Sequence, residues 1–317
     1  MKHFLSVNDV THPDELINRA LAFKQQPVPP HHPGKGRRLG LLFFNPSLRT
    51  RLSTQLAAQN LGMEVIVLNA GRENWTLEFT DGAVMDGETV EHVKDAARVL
   101  GRYFDVLGIR TFPKLQSRDE DYAEHVLNQF VRHAGVPVIS LESATLHPLQ
   151  SLADLITITE HRPHSRKPKV VLTWAPHIKP LPQCVANSFA QWMLAWNKAH
   201  LVVAHPPGYE LDEQFTRGAD ILTSQMEALQ DADFVYVKNW SSLNPYGTTP
   251  AVGENWMLTS AKLQVTRNAR VMHCLPVRRN VELSDEVLDS PASLVTEQAA
   301  NRIWAAQAAL ASLIESI

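Results

Sequence analysis

Apolar runs and amphipathic segments alternate along the whole of this 317-residue chain. Runs such as Leu41-Leu42-Phe43-Phe44 and Val170-Val171-Leu172 are almost continuously apolar. Such runs are typical of strands that are buried on both faces of a parallel sheet. The pattern predicts strands at residues 39–44, 64–69, 105–112, 136–141, 169–175, 200–205, 233–238 and 270–274.

The segments between these strands have apolar residues at helical spacing. They predict helices near residues 12–26, 47–62, 89–103, 118–134, 147–161, 181–197, 223–230 and 296–316. Regular alternation of strands and helices predicts an α/β fold with two successive parallel sheets, each doubly wound and Rossmann-like. We place the divide along the helix at 147–161, ahead of the polar stretch 161–168.

Composition narrows the class of protein. Hydrophobic residues make up 44% of the chain and charged residues 20%, which is globular. The formal net charge of −3 argues against binding of nucleic acid through bulk electrostatics. The two cysteines offer no disulfide framework, and neither a signal peptide nor an apolar run of membrane-spanning length is evident. We therefore expect a cytoplasmic protein with no nucleic-acid or membrane partner.

Polar side chains follow six of the predicted strands. Parallel sheets bind ligands at the carboxyl ends of their strands, so these side chains are candidates for one site. Most of them are cationic or form hydrogen bonds, which indicates an anionic ligand. The segments are Ser47–Arg51, Arg110–Thr111, Glu142 with His147–Gln150, Thr173–His177, Lys238–Trp240 and His273–Arg279.

The first of these segments opens a predicted helix. Backbone N–H groups at a helix start have no partner within the helix, and the helix dipole there favours an anion. Arg49 and Arg51 add guanidinium groups whose geometry matches phosphate. Gly34-Lys35-Gly36 lacks the spacing of a P-loop, and His31-His32 has no third ligand nearby, so we predict no metal.

Three motifs in this order resemble those of the transcarbamylase (aspartate/ornithine carbamoyltransferase) family: Ser47–Arg51, His147–Gln150 and His273–Pro276. The similarity extends from about Phe43 to Arg302. The Ser-Met-Gly loop of the ordinary ornithine enzymes is missing near Lys238, which argues against free ornithine as substrate. Longer motifs resemble the branch that acts on N-acylornithine: residues 43–51, 84–87, 173–177, 238–240 and 273–280.

The resemblance implies a carbamoyl-phosphate domain at 1–150, completed by the C-terminal helix 296–317, and an acyl-ornithine domain at 151–295. It implies a knotted backbone in the second domain, an exception to the usual avoidance of threading. It also implies a homotrimer with active sites at subunit interfaces, where Trp75 of the Asn74-Trp75 loop reaches the neighbour's site. The substrates would be carbamoyl phosphate and an N-acylornithine, with no cofactor.

The resemblance also assigns roles to residues. Thr50, Arg110 and His147 would donate to the oxyanion that forms at the carbamoyl carbonyl. Gln150 and the backbone of Cys274 and Leu275 would hold the carbamoyl NH₂. The phosphate would be bound by Ser47, the Leu48 backbone, Arg49, Thr50, Trp75 and Arg110, with Arg302 as a further contact or a structural residue. The acyl-ornithine would contact Glu142, His177, Lys238, Arg278, Arg279 and Val90.

Direct attack by the δ-amine needs no covalent intermediate, so we do not expect the Cys274 thiol to act as a nucleophile. An alkyl amine has a pKa near ~10 in water and must lose a proton before or during attack. The leaving phosphate, Glu142 and His177 are the candidates for its acceptor. The residues do not choose among the three.

Position 90 bears on the acyl group. The acetyl branch typically has a glutamate at the position of Val90, and the succinyl branch a proline. A glutamate would repel a second carboxylate, and valine removes that repulsion, although Glu91 next to it could restore an acidic group. The acetyl branch also has a carboxylated lysine where this chain has Glu282. We therefore predict transfer to N-succinyl-L-ornithine in arginine biosynthesis, with N-acetyl-L-ornithine as the alternative acceptor.

Two other classes are considered. One is a homologue that binds carbamoyl phosphate without catalysis. The presence of all the expected site residues argues against it: Arg49, Thr50, Arg110, His147 and Gln150. The other is a nucleotide-binding α/β protein, against which the lack of Gly-x-Gly-x-x-Gly after any predicted strand argues.

Overall fold

A computed structural model describes residues 1–70, 75–163, 165–253 and 255–317. The chain divides into two compact units. Unit 1 comprises Met1–Pro113, Asp119–Leu149 and Arg302–Ile317, and unit 2 comprises Lys114–Arg118 and Gln150–Asn301. Among the described residues, no helix is both long enough and apolar enough to cross a membrane.

Unit 1 begins with a short 3₁₀ turn and then alternates helices and strands. Its elements are α1 (Pro13–Gln25), β1 (Arg38–Phe43), α2 (Leu48–Asn60), β2 (Glu64–Asn69), β3 (Leu77–Glu78), β4 (Glu91–His92), α3 (Val93–Tyr103), β5 (Val106–Arg110), α4 (Arg118–Tyr122), α5 (His125–His133) and β6 (Val138–Glu142). Helix α6 (Pro148–His161) follows, and the boundary between the units lies within it.

The main sheet of unit 1 has the strand order β2-β1-β5-β6, and its strands are parallel. Every residue of β5 and β6 is buried, which explains why both segments are mostly apolar. Because β1, β5 and β6 are parallel neighbours, their carboxyl ends lie at one edge. That edge carries the turn before α2, Arg110 and Glu142.

Helices α3 and α5 pack together in unit 1, and one glycine makes this possible. A Cβ on Gly101 would lie 1.8 Å from the carbonyl oxygen of Ala134. Any larger residue at position 101 would therefore push the two helices apart. This close approach lets the apolar faces of both helices cover the sheet around Phe130 and Leu107.

Unit 2 continues with β7 (Lys169–Trp174), α7 (Cys184–Trp196), β8 (His200–Ala204), α8 (Glu213–Thr216), β9 (Asp220–Leu222), α9 (Gln225–Leu229), β10 (Phe234–Lys238), α10 (Ser260–Leu263), β11 (Arg270–Met272), α11 (Asp285–Leu288) and α12 (Val295–Ile314). Its parallel sheet has the order β11-β10-β7-β8-β9. The carboxyl ends of β7, β10 and β11 lie side by side and lead to His177, Lys238 and Cys274. Helix α12 passes from unit 2 into unit 1 at Arg302.

The predicted fold class, α/β with two parallel sheets, is confirmed. The backbone knot implied by the resemblance stays a prediction. Short elements escaped the pattern because two to four residues carry too little periodicity to detect. They are β3, β4, β9, α8, α10 and α11.

The single helix predicted at 118–134 is wrong, because the chain forms α4 and α5 with a break between them. Glu124 at the break has a φ of 48°, in the left-handed region that a non-glycine residue rarely adopts. Its carboxylate accepts hydrogen bonds from the Ser143 hydroxyl, from the backbone N–H groups of Ala144 and Thr145, and from the Thr145 hydroxyl. These bonds compensate for the strain and hold the loop between Glu142 and His147.

We predict that Glu124→Ala lowers the free energy of unfolding by about 1–3 kcal/mol, because two backbone donors lose a charged acceptor. Glu124→Gln keeps one acceptor oxygen, so its free energy of unfolding should lie between those of Glu124→Ala and the parent. Urea unfolding measures both. Glu15→Ala, on the exposed face of α1, is the matched control and should change stability by less than about 0.5 kcal/mol. Equal stability of the Glu124→Ala and Glu15→Ala variants would contradict this role.

Candidate functional site

The start of α2 supplies the anion-binding groups of unit 1. Ser47 is the N-cap residue, yet its hydroxyl caps none of the described N–H groups of the helix. Arg49 is half-buried. Arg51 turns away from this set: its guanidinium donates to Asn69 and stacks over the Phe43 ring. The predicted contact of Arg49 with the anion stays a prediction, whereas the Arg51 guanidinium is engaged by Asn69 and Phe43.

Thr50 is joined to the far end of the chain by Arg302. The Arg302 guanidinium donates to the Thr50 hydroxyl at 2.6 Å and lies 3.4 Å from Nε2 of His147. All three side chains are buried. The geometry therefore brings Arg302 into the same cluster as two residues predicted to act on the carbonyl oxygen.

Arg110 links three strand ends of unit 1. Its Nε and Nη2 donate to one carboxylate oxygen of Glu142 at 3.1 and 2.7 Å. Its Nη1 donates to the backbone oxygens of Asn45 and Pro46, in the turn before α2. A buried ion pair of this kind needs such additional hydrogen bonds to offset desolvation. Arg110 thereby fixes the turn from which the anion-binding helix begins.

His147 is a neutral imidazole in this setting. Burial lowers its pKa to about 3, and the positive charges of Arg302 and Arg110 act in the same direction against the opposing charge of Glu142. A neutral imidazole has one N–H and one acceptor nitrogen, and the guanidinium of Arg302, which can only donate, lies against Nε2. His147 can therefore donate one hydrogen bond, as the predicted role at the carbonyl oxygen requires.

Val90 and Trp75 lie within the described residues, whereas residues 71–74, including Asn74 of the predicted Asn74-Trp75 loop, lie outside them. Val90 is 59% exposed, and its N–H donates to the Thr76 carbonyl. The Trp75 indole N–H donates to the Glu91 carboxylate at 2.8 Å. Glu91 is thus engaged within unit 1 by Trp75, the residue predicted to reach a neighbouring subunit.

In unit 2, Gln150 and Asp154 are paired within α6. The Gln150 Nε2 donates to Oδ1 of Asp154 at 2.8 Å, and both residues are almost fully buried. Gln298 donates to the same oxygen at 2.7 Å and accepts from the backbone N–H of His273. The carboxyl group thus connects α6, α12 and the end of β11.

Cys274 and Leu275 follow β11 in unit 2. Burial raises the pKa of the Cys274 thiol to about 11, although the nearby Lys238 opposes this shift. The side chain is therefore a thiol at neutral pH, which agrees with a backbone role. Leu275 has a φ of 56°, and its N–H donates to Nδ1 of His273 at 2.9 Å. His273 thus fixes the direction of this backbone.

Glu282 occupies the interior behind this turn and is 1% exposed. Burial disfavours its ionised form, but the hydrogen bond with His273 and the charge of Lys238 outweigh burial and lower the pKa of Glu282. Its second oxygen accepts from the backbone N–H of Arg278 at 2.7 Å. Glu282 therefore supports the turn that carries Arg278.

The predicted acceptor cations of unit 2 differ in their surroundings. Lys238 is buried and donates to the Asn239 carbonyl. Arg278 is held by His177, whose Nε2 accepts from the Arg278 Nε at 3.1 Å. Arg279 instead forms ion pairs with Asp285 and Asp289 on the surface of the unit. Its predicted contact with the acyl-ornithine stays a prediction.

Three residues of these clusters were missed by the sequence analysis: Glu124, Asp154 and Gln298. His273 lay within a segment that the sequence analysis named, but its side chain was given no role there. Asp154 had a signal, since a carboxyl one turn after Gln150 on an otherwise apolar helix needs a buried partner. Glu124 looked like an ordinary exposed helix residue. Within the described ranges, no group of three or more His, Cys, Asp or Glu side chains is arranged to hold a metal ion.

Two family models match the chain, one over its N-terminal half and one over its C-terminal half. Residues 2–160 match the family described as "Aspartate/ornithine carbamoyltransferase, carbamoyl-P binding domain". Residues 183–313 match "Aspartate/ornithine carbamoyltransferase, Asp/Orn binding domain". Both halves of one family are thus present in order.

Individual relatives cover the full chain. An N-succinylornithine carbamoyltransferase of Bacteroides fragilis (strain 638R) is 46% identical over 100% of both chains. An N-acetylornithine carbamoyltransferase of Xanthomonas campestris pv. campestris is 37% identical over 99% of this chain and 98% of its own.

Solved structures of N-acetylornithine transcarbamylases have a fold similar to that of this chain. A crystal structure of acetylornithine transcarbamylase complexed with acetylcitrulline has a TM-score of 0.91 and 36% identity, covering 99% of each chain. A variant of N-acetyl-L-ornithine transcarbamylase with valine in place of one glutamate, complexed with carbamyl phosphate and N-succinyl-L-norvaline, has a TM-score of 0.89, 37% identity, and coverage of 99% of this chain and 100% of its own. By its domains, relatives and fold, the chain belongs to the aspartate/ornithine carbamoyltransferase family.

Proposed function

We propose that this protein transfers the carbamoyl group of carbamoyl phosphate to the δ-amine of N-succinyl-L-ornithine, giving N-succinyl-L-citrulline and phosphate. The observation that carries the carbamoyl transfer is the buried cluster of Thr50, Arg302 and His147 in unit 1. It combines a hydroxyl, a guanidinium and a neutral imidazole without a nucleophile, which suits charge stabilisation during direct attack.

The roles within this reaction follow the chemistry of each group. The phosphate is bound by Ser47, Leu48 through its backbone, Arg49, Thr50, Trp75, Arg110 and Arg302. As the amine attacks, the carbonyl oxygen gains negative charge and receives hydrogen bonds from Thr50, Arg110 and His147. The carbamoyl NH₂ is held by Gln150 and the backbone of Cys274 and Leu275. The new C–N bond forms as the C–O bond to phosphate breaks.

The proton lost by the amine passes to the leaving phosphate. Of the other two candidates, His177 has its Nε2 lone pair engaged by Arg278. Glu142 accepts two N–H groups of Arg110 at a single oxygen. A group that already accepts from a guanidinium is a poor proton acceptor, so phosphate, which gains charge as it leaves, is favoured.

The acyl-ornithine is recognised by Glu142, His177, Lys238, Arg278, Arg279 and Val90. The choice of succinyl is supported at position 90, where valine is exposed and carries no charge. The acidic neighbour Glu91 accepts a hydrogen bond from the Trp75 indole, which supports the view that Glu91 does not replace the missing glutamate. Solved variants of the acetyl enzyme that lack one glutamate hold a succinyl ligand, and the 46% identity to a succinyl enzyme exceeds the 37% to an acetyl one.

We further propose that the protein is a homotrimer, as the resemblance implies. Unit 1 exposes an apolar patch on α2 and the edge strand β2, where unpaired apolar surface marks an interface. Its members are Leu48, Leu52, Leu56 and Ile66, which are 68%, 50%, 44% and 47% exposed.

The first prediction of the proposed function concerns the acceptor. The parent should show a kcat/KM for N-succinylornithine at least about tenfold above that for N-acetylornithine. Val90→Glu should lower the succinyl value by about tenfold or more and leave the acetyl value within about threefold, because the new charge repels the second carboxylate. Citrulline formation with both acceptors measures this.

Val90→Gln is the matched control, similar in size to glutamate but without charge, and should keep the succinyl preference. A parent that prefers N-acetylornithine would overturn the succinyl assignment. A parent that binds carbamoyl phosphate but forms no acyl-citrulline would identify a non-catalytic homologue.

The second prediction concerns pH and His147. Its native pKa of about 3 lies below the unfolded value of about 6.5, so the unfolded state binds the extra proton between these limits. Protonation of His147 in the unfolded state has no effect on stability above about pH 6.5. As pH falls below this value, it lowers the free energy of unfolding by at most about 1.4 kcal/mol per pH unit. Urea unfolding at pH 7 and pH 5 should show a smaller loss for His147→Gln than for the parent. Equal losses in both proteins would show that His147 does not resist protonation.

The third prediction concerns assembly. Leu52→Glu combined with Leu56→Glu should dissociate the trimer to monomers and reduce activity at least about tenfold, because charges replace apolar contacts and the sites lie at subunit interfaces. Sedimentation velocity measures the mass. Ile221→Glu, an equally exposed apolar residue on the edge strand of unit 2, should leave the trimer intact. A monomeric parent would contradict the proposal.

A further inference from the structure

Asp154 is a carboxyl group in an almost completely enclosed position. Its exposure is 0%. Its Oδ1 accepts hydrogen bonds from two side-chain amides, Gln150 at 2.8 Å and Gln298 at 2.7 Å. A buried carboxyl is costly, so its retention here calls for a function beyond packing.

The first amide is oriented by this contact. A side-chain amide can present either its NH₂ or its oxygen, and only the NH₂ can donate to a carboxyl oxygen that already receives another N–H. Asp154 therefore binds the Nε2 of Gln150, so that Oε1 of the same amide points away from Asp154. That oxygen is buried and has no hydrogen-bond partner among the described residues. A buried acceptor without a partner is destabilising until a ligand supplies a donor.

The second amide, that of Gln298, connects Asp154 to the end of β11. Gln298 donates to Asp154 and accepts from the backbone N–H of His273 with its other end. His273 in turn accepts from the N–H of Leu275. The backbone of Cys274 and Leu275 is thus attached, through two intermediates, to the oxygen that orients Gln150.

We propose that Asp154 is a positioning residue that makes the protein selective for a carbamoyl over an acetyl group, by holding the Gln150 amide so that its oxygen accepts from the substrate NH₂. The inference rests on the proposed function, in which Gln150 binds that NH₂. Acetyl phosphate has a methyl group in place of the NH₂. It would leave the buried oxygen of Gln150 unpaired, and sites built around a hydrogen bond reject analogues that lack the donor.

The experiment measures dissociation constants by calorimetry for carbamoyl phosphate, acetyl phosphate and inorganic phosphate. The proteins are the parent, Gln150→Ala, Asp154→Ala, Asp154→Asn and the double variant Gln150→Ala/Asp154→Ala. Inorganic phosphate has no group for Gln150, so it reports the integrity of the phosphate site. Binding needs no acceptor, and the result therefore does not depend on which acyl-ornithine is used.

We expect Gln150→Ala and Asp154→Ala each to weaken carbamoyl phosphate binding at least about tenfold and to reduce the preference over acetyl phosphate by a similar factor. If Asp154 acts through Gln150, the double variant should be within about threefold of Gln150→Ala, because the two losses are not additive. Asp154→Asn keeps one oxygen but can also present an NH₂, so an intermediate loss is expected, and this near-isosteric variant serves if the alanine variant does not fold. Phosphate affinity should stay within about twofold throughout.

Thr157→Val is the matched control. Thr157 lies one turn further along α6, is fully buried and bonds Asn301 of α12 much as Asp154 bonds Gln298, but it does not contact Gln150. It should leave the preference for carbamoyl over acetyl phosphate unchanged, and its effect should add to that of Gln150→Ala.

Three results would overturn the assignment: losses that multiply in the double variant, equal losses for phosphate and carbamoyl phosphate, or an Asp154→Ala protein that keeps its preference. A parent that binds carbamoyl phosphate but transfers it to neither acyl-ornithine would refute the proposed function while the binding cycle still decides the role of Asp154. A parent that does not bind carbamoyl phosphate would refute both.

Discussion

The ion pair of Arg110 and Glu142 is the interaction on which the rest of unit 1 depends. It joins the carboxyl ends of two neighbouring strands, and the same guanidinium holds the turn from which α2 begins. Both residues are buried. Removing one partner would leave a buried charge uncompensated at a cost of about 3–5 kcal/mol, so the strand ends and the helix start are held as one body.

Each unit places a buried polar group behind the residues proposed to touch substrate. In unit 1, Arg110 and Glu124 hold the segments on either side of the site, the turn before α2 and the loop before His147. In unit 2, Asp154 and Glu282 hold the Gln150 amide and the turn after β11. Groups held in place before substrate arrives need no reorganisation when charge develops, which is how such a site stabilises a transition state.

Much of the fold could be predicted because hydrophobic periodicity is a local signal. The eight strands of the sequence analysis lie near their predicted positions, since seven of them have five or six residues and most of those are buried and largely apolar. The break at Glu124 could not be predicted, because its sequence continues the amphipathic pattern of a helix. The break exists because a loop some twenty residues later offers four donors to one carboxylate.

The sequence by itself determined the α/β class, the order of the polar strand ends and the resemblance that names the family, because each is written in contiguous residues. Only the tertiary structure decided which side chains act together. In the folded chain Arg51 donates to Asn69, and Trp75 donates to Glu91. Gln298 donates to Asp154, although the two residues are 144 positions apart in the sequence. Such partners are chosen by the packing of whole elements, which sets distances and burial that no local pattern encodes.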